Sequence, residues 1–265
     1  MKITKSMLEQ LNACLEGKDW FDLNFPEGGE YQEVLDKLGA ENNYSYAEWL
    51  MSRIPADDSV LEVDEIKIDG NLFFAGKIVV KKTISVTGWL RAGDGIEAGD
   101  GIEARWGIKA GGGIEAGRGI KAGGGIEAGD GIEAGRGIKA GGGIEAGWGI
   151  KAGGGIKAGW GIEAGGGIKA GGGIEAGDGI EAGDGIKAGD GIEAGDGIKA
   201  ADGIEAGGGI EAGGGIEAGE DWGIFAGIRI QLKSWSLHAK VIAKTRPQNL
   251  ISGCWVDPEN TEEEK

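Results

Sequence analysis

Histidine occurs once, at His238, and cysteine twice, at Cys14 and Cys254 near opposite ends of the chain. Two distant cysteines make no disulfide framework, and a reducing bacterial cytoplasm is the expected compartment. A lone histidine flanked by Leu237 and Ala239 reads as a strand residue and leaves no His-based metal or acid–base set. No Gly-x-x-x-x-Gly-Lys-Ser/Thr phosphate cradle occurs, and no Ser or Cys has a base paired with it in a motif. Asp-Gly corners at Asp178, Asp184, Asp190 and Asp196 each offer a single carboxylate, too few for a cation site. No apolar run approaches the roughly 18 residues that cross a bilayer, and the N-terminus lacks a signal peptide's apolar core. The expectation is a protein with no catalytic residue, no cofactor, no metal and no membrane contact.

What the chain has in excess is glycine, 59 residues of 265. Such a share often marks disorder, but here it is strictly periodic. From Ile96 to Ile216 an Ile stands at every sixth position, twenty-one times in succession, and Ala follows two residues after each. Self-similarity at a short fixed period is the signature of a solenoid. Counting back by six from Ile96 reaches Leu90, Ile84, Ile78, Leu72 and Ile66, so the register begins before the glycines do. Ile and Ala two apart point to one side of an extended segment, and the Glu or Lys between them points away. Three such segments, each closed by Gly-X-Gly, make a triangular coil of about 18 residues with roughly 4.8 Å of rise. A flattened, two-sided coil of two hexads is the competing geometry. The pattern is similar in part to the hexapeptide helix of acyltransferases, but that family places its small residue four after the aliphatic one. Glycine before Ile is invariant in the array, whereas the glycine after Ala gives way to Arg105 and Ala201. This predicts that the first is the conformationally demanding one, so that Gly143→Ala destabilises more than Gly147→Ala.

The fold class expected is therefore mainly β: a hexapeptide-period β-solenoid over residues 59–223. A helical module (1–58) precedes it, cap strands (224–248) follow, and a mostly disordered tail (249–265) ends the chain. In the module, a first helix capped by Thr4 or Ser6 runs to about Glu16, and two more cover Tyr31 to Leu38 and Tyr44 to Ile54. After Ala218 two extra residues break the register, and Ile228, Ile230 and Leu232 alternate with polar residues as a cap strand continuing through Trp235 to Ala243.

The strings Leu11-Asn-Ala-Cys-Leu-Glu-Gly-Lys-Asp-Trp-Phe, Glu33-Val-Leu and Tyr46-Ala-Glu-Trp-Leu resemble the N-terminal module of phage and prophage proteins, several of which carry short-period repeats next. The resemblance runs from the N-terminus to about Pro55. It implies a phage origin and no chemistry.

Charge supplies the functional expectation. The net charge of −17 disfavours direct contact with nucleic acid or anionic membrane. Residues 91–173 balance ten acidic against ten basic side chains, while 174–220 carry twelve acidic and two basic. An acidic belt of Glu175, Asp178, Glu181, Asp184, Asp190, Glu193, Asp196, Asp202 and Glu205 on a rigid column has a charge density comparable to that of duplex DNA. Pentapeptide-repeat solenoids that imitate DNA are a fold-level analogy. Trp106, Trp148 and Trp160 occupy corners, where exposed Trp serves as an interface anchor. The expected partner is a basic, nucleic-acid-handling host or defence protein that the chain inhibits, with a homo-oligomer as a further form. The alternatives are a structural or assembly protein of a virion or scaffold, and a sponge that holds a small signalling molecule near Arg118, Lys121, Arg136 and Lys139.

Overall fold

The computed structural model describes residues 1–228 and 235–258. Each hexad forms a short strand, such as Ile96–Ala98, Ile102–Ala104 and Ile108–Ala110, and each strand pairs in parallel with the one three hexads further on. The pairing is Ile on Ile and Ala on Ala, as in Ile102 on Ile120 and Ala104 on Ala122. Three parallel sheets of eleven, nine and eleven strands result. The coil is triangular, and the two-sided alternative is excluded. Every Ile of the array is buried and faces inward with its companion Ala, forming one continuous column. Burying an Ile side chain stabilises by about 1.5–3 kcal/mol, and only stacked neighbours supply that burial.

The sheets are named by their first strands: the Val60 face (from Val60–Val63), the Ile66 face (from Ile66–Ile68) and the Leu72 face (from Leu72–Phe74). Corners stack as regularly as strands, since the Arg136 N–H donates to the Arg118 C=O and the Gly154 N–H to the Arg136 C=O, both at 2.8 Å.

The glycines behave opposite to the sequence expectation. No corner glycine of the array has a left-handed φ; the positive-φ glycines are Gly28, Gly70, Gly227 and Gly253. The constraint is close approach instead. A Cβ on Gly147, after Ala146, would lie 2.0 Å from the Gly129 carbonyl oxygen one coil below. On Gly143, before Ile144, it would meet the Gly161 oxygen at 3.3 Å, which a small shift relieves. Arg105 and Ala201 therefore stand at the crowded position, where the backbone itself must give way to admit a Cβ. Gly147→Ala is expected to lower stability by about 2 kcal/mol and Gly143→Ala by under about 1 kcal/mol. Urea unfolding of the two variants checks the order; equal midpoints, or the reverse order, would contradict it.

The N-terminal module has four helices, α1 (Lys5–Gln10), α2 (Leu15–Asn24), α3 (Tyr31–Ala40) and α4 (Tyr44–Met51). The sequence predicts one helix through to Glu16, where the structure ends α1 early and opens α2. The cause is Asn12, whose φ of 59° ends α1, after which the Cys14 Sγ accepts from the Gly17 N–H at 3.4 Å and caps α2. Thr4, not Ser6, caps α1, accepting from the Met7 N–H at 3.3 Å. The module docks on the base of the Leu72 face. Phe73 projects outward from that face into the module's core and is 2 % exposed. The Gln32 amide of α3 donates to the Phe73 C=O and accepts from the Ala75 N–H, both at 2.9 Å. One side chain thus satisfies the outermost strand of that sheet, which would otherwise be an open edge.

At the other end Ile224–Phe225 continues the Val60 face after the two-residue insertion and pairs with Ile204. The expected cap strand over 229–234 lies outside the described residues. Trp235–His238 is a short helix, not the continuing strand, so His238 is not a strand residue; the strand is Lys240–Ile242, on the Ile66 face. Two further strands, Leu250–Ser252 and Cys254–Val256, form where composition suggests a tail. They are held by Asn249 donating to the Gly219 C=O at 2.9 Å and Trp255 donating to the Ala243 C=O at 3.1 Å. The expected disorder of the last residues falls on 259–265, also outside the described residues.

Candidate functional site: three charged faces

Because strands pair three hexads apart, each face displays every third outward residue. Up the Val60 face these are Glu97, Glu115 and Glu133, then Lys151, Lys169 and Lys187, then Glu205. Up the Ile66 face they are Glu103, then Lys121, Lys139 and Lys157, then Glu175, Glu193 and Glu211. The Leu72 face shows Arg91 and Lys109, then Glu127, Glu145, Glu163 and Glu181, then Lys199 and Glu217. Like charges are stacked in blocks at roughly the 4.8 Å strand spacing. Like charges opposite each other on a sheet are destabilising, and alternating Glu and Lys would leave the core untouched.

Ion pairs form where a block ends. Lys121 meets Glu103 at 2.7 Å, Lys151 meets Glu133 at 2.5 Å and Lys109 meets Glu127 at 2.7 Å. Lys157 pairs with Glu175 and Lys187 with Glu205 in the same way. Inside the blocks, Lys139, Lys169, Glu145, Glu163 and Glu193 have no ion pair among the described residues. These exposed pairs are worth at most about 1 kcal/mol each.

The acidic residues expected to form one belt are divided by the structure. Asp178 and Asp196 share the edge between the Ile66 and Leu72 faces, on which Trp106 and Trp160 also stand. Asp184, Asp202 and Trp148 share the edge between the Leu72 and Val60 faces. Asp190 stands on the third edge, and Glu181, Glu193 and Glu205 lie on three different faces. The belt encircles the column. The Ile66 face with its two edges gathers one purely acidic group, Glu175, Asp178, Asp190, Glu193, Asp196 and Glu211, and the Leu72 face with its edges gathers another, Glu127, Asp130, Glu145, Glu163, Glu181 and Asp184. In the first group, Glu211 lies outside the belt read along the chain, and writing the sequence three hexads to a line recovers it. The basic set Arg118, Lys121, Arg136 and Lys139 is also brought together, lower on the Ile66 side. Lys121 and Lys139 line an open groove floored by glycines such as Gly119 and Gly137, not a closed pocket, and Arg118 and Arg136 stack on the edge beside them. Trp106, Trp148 and Trp160 are exposed at 56 %, 71 % and 66 %.

Among the described residues the one buried charge is Arg91, 5 % exposed, where the Leu72 face meets α4. Glu48 of α4 pairs with it and reaches Lys109 at 3.3 Å. Tyr44 stacks on Trp89 beside them, with ring centroids 4.2 Å apart. Burial pulls the Arg91 guanidinium below its ordinary pKa, opposed by Tyr44, Glu127 and Tyr31. Burial likewise pushes the Tyr31 phenol up to about 12. This cluster joins module to column.

Among the described residues, no group of three or more His, Cys, Asp or Glu side chains is placed to hold a metal ion, and no helix is long and apolar enough to cross a membrane. No curated protein and no solved structure matches the chain. Residues 1–55 match the family model for the YdhT N-terminal domain, so the helical module is similar to that domain while the column lies beyond the match.

Proposed function

We propose that the protein is a non-catalytic binding rod whose acidic upper coils dock a positively charged protein surface. The observation that supports this most is the acidic group on the Ile66 side. Glu175, Asp178, Asp190, Glu193, Asp196 and Glu211 stand there on a rigid backbone, with no basic residue at the outward or edge positions of that face over those three coils. Six charges over three coils is one per roughly 2.4 Å of height, approaching the one per about 1.7 Å of duplex DNA. A host protein that handles nucleic acid, such as a restriction or defence component, has the complementary charge. An inhibitor of that kind is in keeping with the phage-type look of the N-terminal module. The alternative, a spacer in a virion or scaffold, is favoured by the stiffness of a column whose strands are paired above and below.

The test is capture of a basic protein from bacterial lysate by the tagged chain. Capture is expected at low salt, to fall steeply by about 0.5 M, and to be lost in the D190K/E193K/D196K variant. Capture that ignores both salt and the substitutions would sink this reading.

A further inference from the structure

We propose that a second copy of this chain is itself a partner of the Ile66 face, in an antiparallel dimer about a two-fold axis lying across that face between Lys157 and Glu175. The proposal rests on reading the acidic half of this face as a docking surface, and it adds the basic half beneath it as the complementary surface. From bottom to top the outward residues are Lys121, Lys139, Lys157, Glu175, Glu193 and Glu211. The face is an electrostatic palindrome of opposite sign. Turned end over end, a second copy sets its Glu175, Glu193 and Glu211 against Lys157, Lys139 and Lys121, and the two-fold axis repeats all three contacts in reverse, as an isologous interface requires.

The edges decide between faces. On the edge shared with the Val60 face, the same axis brings Arg136 opposite Asp190 of the second copy. A parallel arrangement sets Lys against Lys and Glu against Glu, and is excluded by repulsion. The Val60 face has its own reversed blocks, but the matching axis there opposes Asp100 with Asp190 of the second copy, and Asp94 with Asp184 of the second copy. The Leu72 face is occupied at its base by the helical module and offers four consecutive Glu without a basic block of equal length.

The blocks of like charge then acquire a physical reason. In the monomer Lys139 and Glu193 have only like-charged neighbours on their own face; in the dimer each faces its opposite. Six coils of a side about six residues round present roughly 500 Å² per copy, so the dimer buries about 1,000 Å², the low end for a specific interface. The association is expected to be weak, with a Kd on the order of 10 μM, and to depend on salt.

Sedimentation equilibrium of the full chain tests it. Dimer is expected at about 100 μM and low ionic strength, with at least about tenfold weakening at about 0.5 M salt. The K121E/K139E/K157E variant, whose face is wholly acidic, and the E175K/E193K/E211K variant, whose face is wholly basic, are each expected to be monomeric. Mixed, they are expected to form a one-to-one heterodimer. K151E/K169E/K187E, on the Val60 face, is expected to dimerise as the parent does. These side chains point outward, so unchanged thermal unfolding shows that each variant is folded. A monomeric parent chain, dimers that survive either Ile66-face variant, or a mixture that fails to associate would overturn the proposal. K121E/K139E/K157E retains every acidic group of the upper coils. If it loses the dimer yet still captures a basic lysate protein, both proposals stand; parent dimers without capture defeat only the docking of a basic host protein.

Discussion

Ile156→Asp is expected to lower the stability of the column by more than about 4 kcal/mol and to turn one unfolding transition into two. Ile156 is 1 % exposed, with Ile138 below it and Ile174 above in the same sheet. A carboxylate at that place meets only Ile and Ala, with no donor to pair it, and an unpaired buried charge costs several kcal/mol even after it takes up a proton. Since each coil touches only the coils above and below, the damage does not spread evenly. The lower coils keep the helical module as a cap, while the upper coils are topped, among the described residues, by the short strands Lys240–Ile242, Leu250–Ser252 and Cys254–Val256. The upper part is expected to melt first, seen as early loss of amide protection there in hydrogen exchange. Lys169→Gln, outward and inside a block of like charge, should stay within about 0.5 kcal/mol of the parent. A single cooperative transition at the parent's midpoint would show that the inward stack does not carry the stability.

The second large effect is at the junction. Glu48→Ala leaves Arg91 buried beneath α4 without its carboxylate, and Lys109 loses one of its two acidic contacts. Removing one partner of a buried pair costs about 3–5 kcal/mol, and the lower figure applies because the Glu48 side chain is 29 % exposed. Adding Arg91→Met to Glu48→Ala should restore most of the loss, because an apolar side chain there meets Tyr31 and Tyr44 without a stranded charge. Calorimetry of the single and double variants reads this directly. A double variant no more stable than Glu48→Ala alone would mean that the pair matters for packing and not for charge.

Much of the column is legible because the inward residue is the same every time. An unbroken Ile register from Ile96 to Ile216, with Ala two later, leaves one way to bury both, and the parallel pairing of Ile on Ile follows. The corner glycines mislead because substitution reads as tolerance. Arg105 and Ala201 replace the glycine that stacks most tightly, and only the 2.0 Å at which a Cβ on Gly147 would meet the Gly129 oxygen of the coil below reveals the constraint. Helix α2 is hidden for a local reason, since nothing in Leu11-Asn-Ala-Cys announces a left-handed Asn followed by a thiol cap. The candidate site is half legible. Charges counted along the chain give an acidic end, but contact on the surface runs between residues three hexads apart. Lys157 and Glu175 are therefore neighbours, while Glu175 and Glu181 are separated by a corner. Blocks such as Lys121, Lys139 and Lys157 emerge only when the sequence is written three hexads to a line.

Every surface described above depends on that three-hexad register, and cross-linking reads it most directly. In a chain with Cys14 and Cys254 replaced by Ser, Glu133→Cys paired with Lys151→Cys places two thiols on adjacent strands of the Val60 face, roughly 5 Å apart. Glu133→Cys paired with Glu145→Cys places them on different faces, because two hexads make two sides of a triangle. Mild oxidation is expected to form the disulfide within the chain in the first variant and to leave the second with free thiols. Ready formation in the Glu133/Glu145 variant with none in the Glu133/Lys151 variant would contradict the triangular coil, and with it every face and edge built upon it.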